Sequence, residues 1–465
     1  MSFKDFITNL PEVKPPLQKR LPFKEKLKWT LMVLVAFFVL GMIPLYGMSK
    51  NALAEFEYLS LILGAKFGSI ISLGIGPLVT ASIVLQLLTG SGILKFDLTT
   101  AEGKKYFQGV QKLLGFFFIV FEAGIYVFMG GLSPDPLLGP QKYFLMQLFL
   151  VAQLVIGGIV ILYMDEVAGK WGFISGISLF IAAGVSKEIM VRAFSPLTTA
   201  GTFAFGTGQA PVGKVWALFT SLMQGNPKAA FLAFWAIFAT ILVFLLSVYG
   251  QAMQVEIPLS FGRVRGYGIR WPLKFIYTSN IPVILIAALM ANLQLWARLM
   301  QNWGFPLLGT FQGRIPVSGF VAWIYPPRIF EKLITGAFAF SDILHALSYA
   351  AFLIGGSVIF SIFWVQTAGM DAKSQAKQII ASGLQIPGFR RDVRVLEAIL
   401  NRYIYPLTVM GAILVGILAA SADLMGALTH GTGILLAVMI IYRFYEVLVQ
   451  QHAMDMHPML RKMIE

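Results

Sequence analysis

Few side chains in this 465-residue sequence could do chemistry. Cys is absent, which removes thiol nucleophiles, disulfides and Cys-bound zinc. The four histidines, His345, His430, His452 and His457, show no metal-ligand spacing. No P-loop, nucleophile elbow or zinc-site motif occurs. The expectation is a non-enzyme with no catalytic residue, metal or cofactor. What stands out is one carboxyl, Glu122, set between Phe121 and Ala123 in a long apolar run. A carboxyl at membrane depth is expensive and marks a function, such as a proton relay or a polar contact between helices. Two arginine pairs, Arg263 with Arg265 (FGRVRGYG) and Arg390 with Arg391 (GFRR), sit in basic loops beside glycine. Such pairs set membrane topology or bind phosphate, whose oxygens suit guanidinium.

The elements that position these groups centre on one stretch, Phe56 to Leu88. Its first apolar run, Phe56 to Phe67, has about 12 residues and would rise roughly 18 Å as a helix. A bilayer core is about 30 Å thick, so this run cannot span it and is of re-entrant or interfacial length. The second, Ile70 to Leu88, has about 19 residues and can span. Gly64, Gly68, Gly74, Gly76 and Pro77 loosen the backbone between and inside them. Broken backbone survives at membrane depth only where protein or a water-filled cavity surrounds it. A half-helix feeding a glycine-rich span therefore points to a pathway through the protein. A surface amphipathic helix followed by an ordinary span is the other reading.

The rest of the chain is a polytopic membrane protein. It is 57% hydrophobic and 12% charged, with a net charge of +14. That charge suits anionic lipid or nucleic acid equally. No cleavable signal peptide precedes the first span. Ten spans are expected, at 29–46, 70–88, 113–129, 144–163, 172–190, 229–252, 276–296, 343–365, 404–422 and 434–449. The loop 301–340 is broken by Pro306, Pro316, Pro326 and Pro327 and is not read as a span. With the N-terminus inside, 25 of the 36 Lys and Arg fall on the cytoplasmic side, which supports both termini inside. Five spans, a connection and five more imply two halves of inverted topology. The chain then divides into a cytoplasmic segment 1–28, a half 29–194, an external hinge loop 195–228, a half 229–452 with cytoplasmic loops 253–275 and 369–403, and a tail 453–465.

The run LGIGPLVTASIVLQLL (Leu73 to Leu88) resembles the second-helix signature of the SecY family, in the form of its archaeal and eukaryotic branch, the archaeal members above all. The resemblance continues through DEVAGKWGFISGISLFIAAGVS (Asp165 to Ser186), VEIPL (Val255 to Leu259), FIYTSNIPVIL (Phe275 to Leu285) and ANLQLW (Ala291 to Trp296). GFRR (Gly388 to Arg391), YPLTVM (Tyr405 to Met410) and GTGILL (Gly431 to Leu436) extend it. These segments cover both halves in order. Loops 195–228 and 301–340 match nothing.

The resemblance implies an all-α protein of ten transmembrane helices in two pseudo-symmetric inverted halves of five, with a short re-entrant plug helix. It implies the central subunit of a protein-conducting channel, releasing transmembrane segments sideways into lipid. On spacing alone, Ile75 with Val79 and Ile177 with Ile181 are packing or lipid-facing aliphatics. By resemblance they join Ile284 and Leu436 in a pore ring, a dewetting constriction that excludes ions yet closes around a moving chain. The plug would be 55–67, with Glu55, Phe56, Leu59, Leu63, Gly64 and Phe67. Thr80 and Asn292 match the partners of Glu122 at a lateral gate. Arg263, Arg265, Arg390 and Arg391 match ribosome-docking loops. Implied partners are the ribosome, signal sequences and nascent polypeptides, membrane lipid, and small single-span subunits of the SecE/gamma and beta types. The implied location is the cell membrane, and energy would come from a partner. Leu34 and Val243 are expected to face lipid. The competing reading is a secondary solute transporter in which Glu122 relays protons.

Overall fold

A computed structural model describes residues 7, 9–18, 21–49, 68–90, 92–94, 96, 100–135, 137–198, 202–205, 209–261, 268–278, 281–312, 315–381, 384–385, 392–429 and 431–456. The chain is mostly helical. The first half contains α1 (Phe23–Leu40), α2 (Gly76–Gly90), α3 (Ala101–Phe128), α4 (Pro140–Trp171) and α5 (Gly176–Phe194). A short α6 (Lys214–Met223) precedes α7 (Pro227–Ala252), the hairpin β1–β2 (Gln254–Phe261, Gly268–Lys274) and α8 (Ile281–Asn302). Then come a small hairpin β3–β4 (Thr310–Gln312, Ile315–Ser318), α9 (Phe320–Trp323), α10 (Ile329–Thr335) and α11 (Phe340–Thr367). The chain finishes with α12 (Ala372–Ala381), β5 (Leu384–Gln385), α13 (Val393–Leu424) and α14 (Gly431–Met456).

Each predicted span falls on a helix, with shifted ends. Among the described residues, seven helices are long and apolar enough to cross a membrane: α3, α4, α7, α8, α11, α13 and α14. The other three fall short for visible reasons. Helix α1 opens with Lys24, Glu25, Lys26 and Lys28, and α5 carries Lys187, Glu188 and Arg192. Helix α2 has 15 residues, about 22 Å of rise against a core of about 30 Å. The sequence places its start at Ile70, but Gly68 to Ile75 is a run of turns. Gly68 at φ +84° and Gly74 at φ +55° take left-handed conformations that no helix contains. The Ile75 carbonyl accepts from Val79 N at 3.0 Å, so Ile75 opens the helix and still shares a face with Val79.

Polar caps fix the helix starts. Thr100 accepts from Gly103 N at 3.1 Å, Asn226 from Ala229 N at 3.3 Å, and Asp392 from Arg394 N at 2.9 Å. Pro140 and Pro227 occupy first turns, where a missing N–H costs nothing. Gly157 of α4 lets that helix reach the turns before α2. A Cβ there would stand 1.9 Å from the Ile70 carbonyl oxygen.

The loops hold structure that hydropathy does not reveal. Loop 253–275 is the β1–β2 hairpin, and β5 joins its other edge in the order β2-β1-β5. Loop 301–340 contains β3, β4, α9 and α10, and loop 195–228 contains α6. Two lipid assignments are corrected. Val243 is buried against Ala422, Ile434 and Val438, because α13 and α14 pack on that side of α7. Leu34 is half-buried against the main core. The residues of those helices that do face outward include Val39 and Leu245.

Candidate functional site

Two sets of side chains, one apolar and one polar, meet between the halves. The apolar set is the six aliphatics singled out by sequence. Val79 comes from α2, with Ile75 at its mouth, Ile177 and Ile181 from α5, Ile284 from α8 and Leu436 from α14. Ile75, Val79, Ile181, Ile284 and Leu436 are buried in one continuous cluster, and Ile177 packs against it half-buried. The start of α5 is fixed from α4, where Asp165 Oδ1 accepts from Ile177 N at 2.9 Å. Branched alkyl groups offer no hydrogen bonds to water or to a passing peptide, so this cluster can exclude water and ions without binding a chain that moves through it.

The polar set is Thr80 on α2, Glu122 on α3 and Asn292 on α8, all buried. The Thr80 hydroxyl lies 2.9 Å from Glu122 Oε1 and 2.9 Å from the Gly76 carbonyl oxygen. It accepts from Asn292 Nδ2 at 2.8 Å. Thr80 therefore joins helices of both halves through one oxygen. Glu122 Oε2 has no hydrogen-bond partner among the described residues, so the triad is incompletely satisfied and costly to hold together.

Sequence reasoning missed two further contacts. Gln111 Nε2 of α3 donates to Ser82 Oγ of α2 at 2.7 Å, a second tie between those helices. Ser82 lies two residues from Thr80, and Gln111 eleven before Glu122, three turns along α3; that spacing was the available signal. Tyr349 OH of α11 donates to Asp423 Oδ2 of α13 at 2.6 Å, and Asp423 Oδ1 accepts from Gly431 N at the start of α14 at 2.7 Å. That carboxylate ties α11 to the end of α13 and the start of α14.

Glu55, Phe56, Leu59, Leu63, Gly64 and Phe67, assigned by sequence to a plug, lie outside the described residues. So do Arg263, Arg265, Arg390 and Arg391. The strands flanking both arginine segments are described. Ser260 and Phe261 at the end of β1 pair with Gln385 and Leu384 of β5. The strands that precede the two arginine segments, β1 and β5, are thus antiparallel neighbours in one sheet. The sheet's root is held to α14 by an ion pair of Lys274 with Glu446.

Comparison with known proteins agrees with this geometry. The SecY family profile matches residues 69–445, a range that includes every ring and triad residue. Protein translocase subunit SecY of Methanothermobacter thermautotrophicus is 45% identical, over 99% of this chain and 98% of its own. A solved structure described as "The structure of a protein conducting channel" superposes with a TM-score of 0.82 at 42% identity, covering 98% of this chain and 99% of its own. Sec61 in the canine ribosome-channel complex gives a TM-score of 0.79 at 41% identity, with the same coverage. Shared along nearly the whole length, this likeness establishes that the chain belongs to the SecY family.

Proposed function

We infer that this chain is the channel subunit of a protein translocase, a multi-pass membrane protein that conducts unfolded polypeptides and is not itself an enzyme. The observation that carries the reading is the cluster of Ile75, Val79, Ile177, Ile181, Ile284 and Leu436, drawn from both halves into one apolar seal. The solute-transporter reading loses its basis. Glu122 contacts Thr80 and through it Asn292, a contact across helices, and the family is a translocase.

The six aliphatics are proposed as the pore ring, and the 55–67 segment as a plug beneath it. Thr80, Glu122 and Asn292 are proposed as the polar latch of a lateral gate between α2 and α8. Polar contacts between membrane helices contribute about 0.6 to 2 kcal/mol each, suited to a seam that must open. Arg263, Arg265, Arg390 and Arg391 are proposed to dock the ribosome. In support, the strands that precede the two segments are neighbours in one sheet, and the canine relative is described in a ribosome complex. Ten spans in two inverted halves, both termini cytoplasmic, in the cell membrane, is the topology that the charge asymmetry favours. Signal sequences would exit through the gate to lipid, and small single-span subunits of the SecE/gamma and beta types would complete the complex.

The test is reconstitution of the purified complex into vesicles with translating ribosomes. A secretory polypeptide should become protected from added protease, with no requirement for a solute gradient. Gradient-driven uptake of a small solute without polypeptide protection would overturn the reading.

A further inference from the structure

The described residues 7 and 9–14, ahead of α1, are packed against the helices. Ile7 is buried, with its backbone against Gly109 of α3, where an added Cβ would meet the Ile7 carbonyl at 2.7 Å. From residue 11 to 14 the chain is held chiefly by its backbone. Lys112 of α3 donates to the Pro11 carbonyl, and Val13 N donates to Glu166 Oε2 of α4 at 2.8 Å. Lys170 Nζ donates to the Val13 carbonyl at 2.6 Å and pairs with Glu12 at 3.0 Å. Trp171 Nε1 donates to the Lys14 carbonyl at 3.0 Å. Lys112 and Glu166 also pair with each other, joining α3 to α4. Their side chains are only 11% and 18% exposed, so solvent screens this pair far less than a surface one.

We propose that residues 7 and 9–14 belong to a strap that fixes α3 against α4 and, through α3, holds the gate helix α2 closed. Helix α3 is the intermediary because two of its polar ties reach α2: Gln111 to Ser82 and Glu122 to Thr80. Lys112, next to Gln111 in sequence, is itself a strap contact. Displacement of the cytoplasmic end of α3 would therefore pull on the Gln111–Ser82 bond first, then on the triad. The groove residues Lys170 and Trp171 are positioning residues. They touch the strap and act on the gate only through it. Because the groove holds mostly peptide groups, strap side chains other than Ile7 and Glu12 can vary without loss. The inference rests on the gate reading of Thr80, Glu122 and Asn292.

The test uses the full chain in its complex, with Lys170→Gln and Trp171→Phe combined. Two readouts are taken: cleavage after Glu12 by a glutamate-specific protease, and translocation of substrates with a full-strength or a weakened signal sequence. In the parent, cleavage after Glu12 should be slow, and in the variant at least tenfold faster. Translocation of the weak-signal substrate should rise severalfold while the full-strength substrate is unchanged. Fast cleavage in the parent would overturn the strap. Faster cleavage in the variant with no change for the weak signal would overturn its link to the gate. Asn292→Leu, measured alongside, keeps the two readings apart, since it should move the weak-signal substrate whether or not the strap exists. Should the double variant fail to assemble, Trp171→Phe alone removes one strap bond while keeping an aromatic ring, and the same outcomes apply.

Discussion

Asn292 Nδ2 donates to Thr80 Oγ1 at 2.8 Å, and through that bond α8 of the second half meets α2 of the first. The acceptor is the same oxygen that contacts Glu122, so loss of Asn292 also alters how Glu122 is held. Asn292→Leu should shift the balance between closed and open seam by about 1 kcal/mol. The expected readout is a changed hydrophobicity threshold for signal sequences entering lipid. A threshold identical to the parent's would remove Asn292 from the gate.

Docking through arginine has a salt signature. Arg390→Glu with Arg391→Glu should weaken ribosome binding, because phosphate contacts release counterions and the paired charges are reversed. The slope of binding against salt should flatten as well. Binding unchanged across a salt series would leave the arginines as topology signals.

Orientation can be read directly, because the chain has no Cys to remove. A cysteine at Lys104, at the start of α3, should react with an impermeant maleimide only from the cytoplasmic side. One at Lys214, at the start of α6, should react only from outside. Reversal of this pair would refute the ten-span topology.

Close helix approach gives a stability prediction. Gly157→Ala places a methyl 1.9 Å from the Ile70 carbonyl, so α4 must shift or the turns before α2 must give. Overpacking of this kind costs about 1–3 kcal/mol, more than the gain in helix propensity of about 1 kcal/mol. Gly184→Ala meets nothing within 4 Å and should be neutral or stabilising. Thermal unfolding of the two variants in detergent would separate these outcomes.

Hydropathy located the helices well because span length and apolar content are dictated by the bilayer. It misplaced the start of α2, since Ile70, Ile71 and Leu73 are apolar enough to extend a span while Gly68 and Gly74 forbid a helix there. The β1–β2 hairpin has a weaker signal: Val255, Ile257 and Leu259 alternate as a strand should, but the run is short and lies within a loop between two spans. Val243 was misassigned for a general reason. A residue buried between membrane helices is as apolar as one facing lipid, and only the packing of α13 and α14 distinguishes them. The triad was legible through family resemblance. Gln111 with Ser82 was not, since a lone Gln or Ser within a helix reads the same with or without a partner on the next helix. The strap contacts could not be read at all, because backbone carbonyls leave no trace in residue identity.

The central claim is that six aliphatics seal a passage wide enough, when opened, for a polypeptide. Planar-bilayer conductance tests it most directly. Ile75→Asn and Leu436→Ser place hydrogen-bonding groups in the ring, so water should persist there and ions should leak. Leak should grow with each polar substitution around the ring. It should stay at the parent's level for Val39→Asn or Leu245→Asn, whose side chains face outward. A bilayer that remains silent with both ring substitutions, while polypeptide translocation persists, would contradict the account and place the narrow point elsewhere.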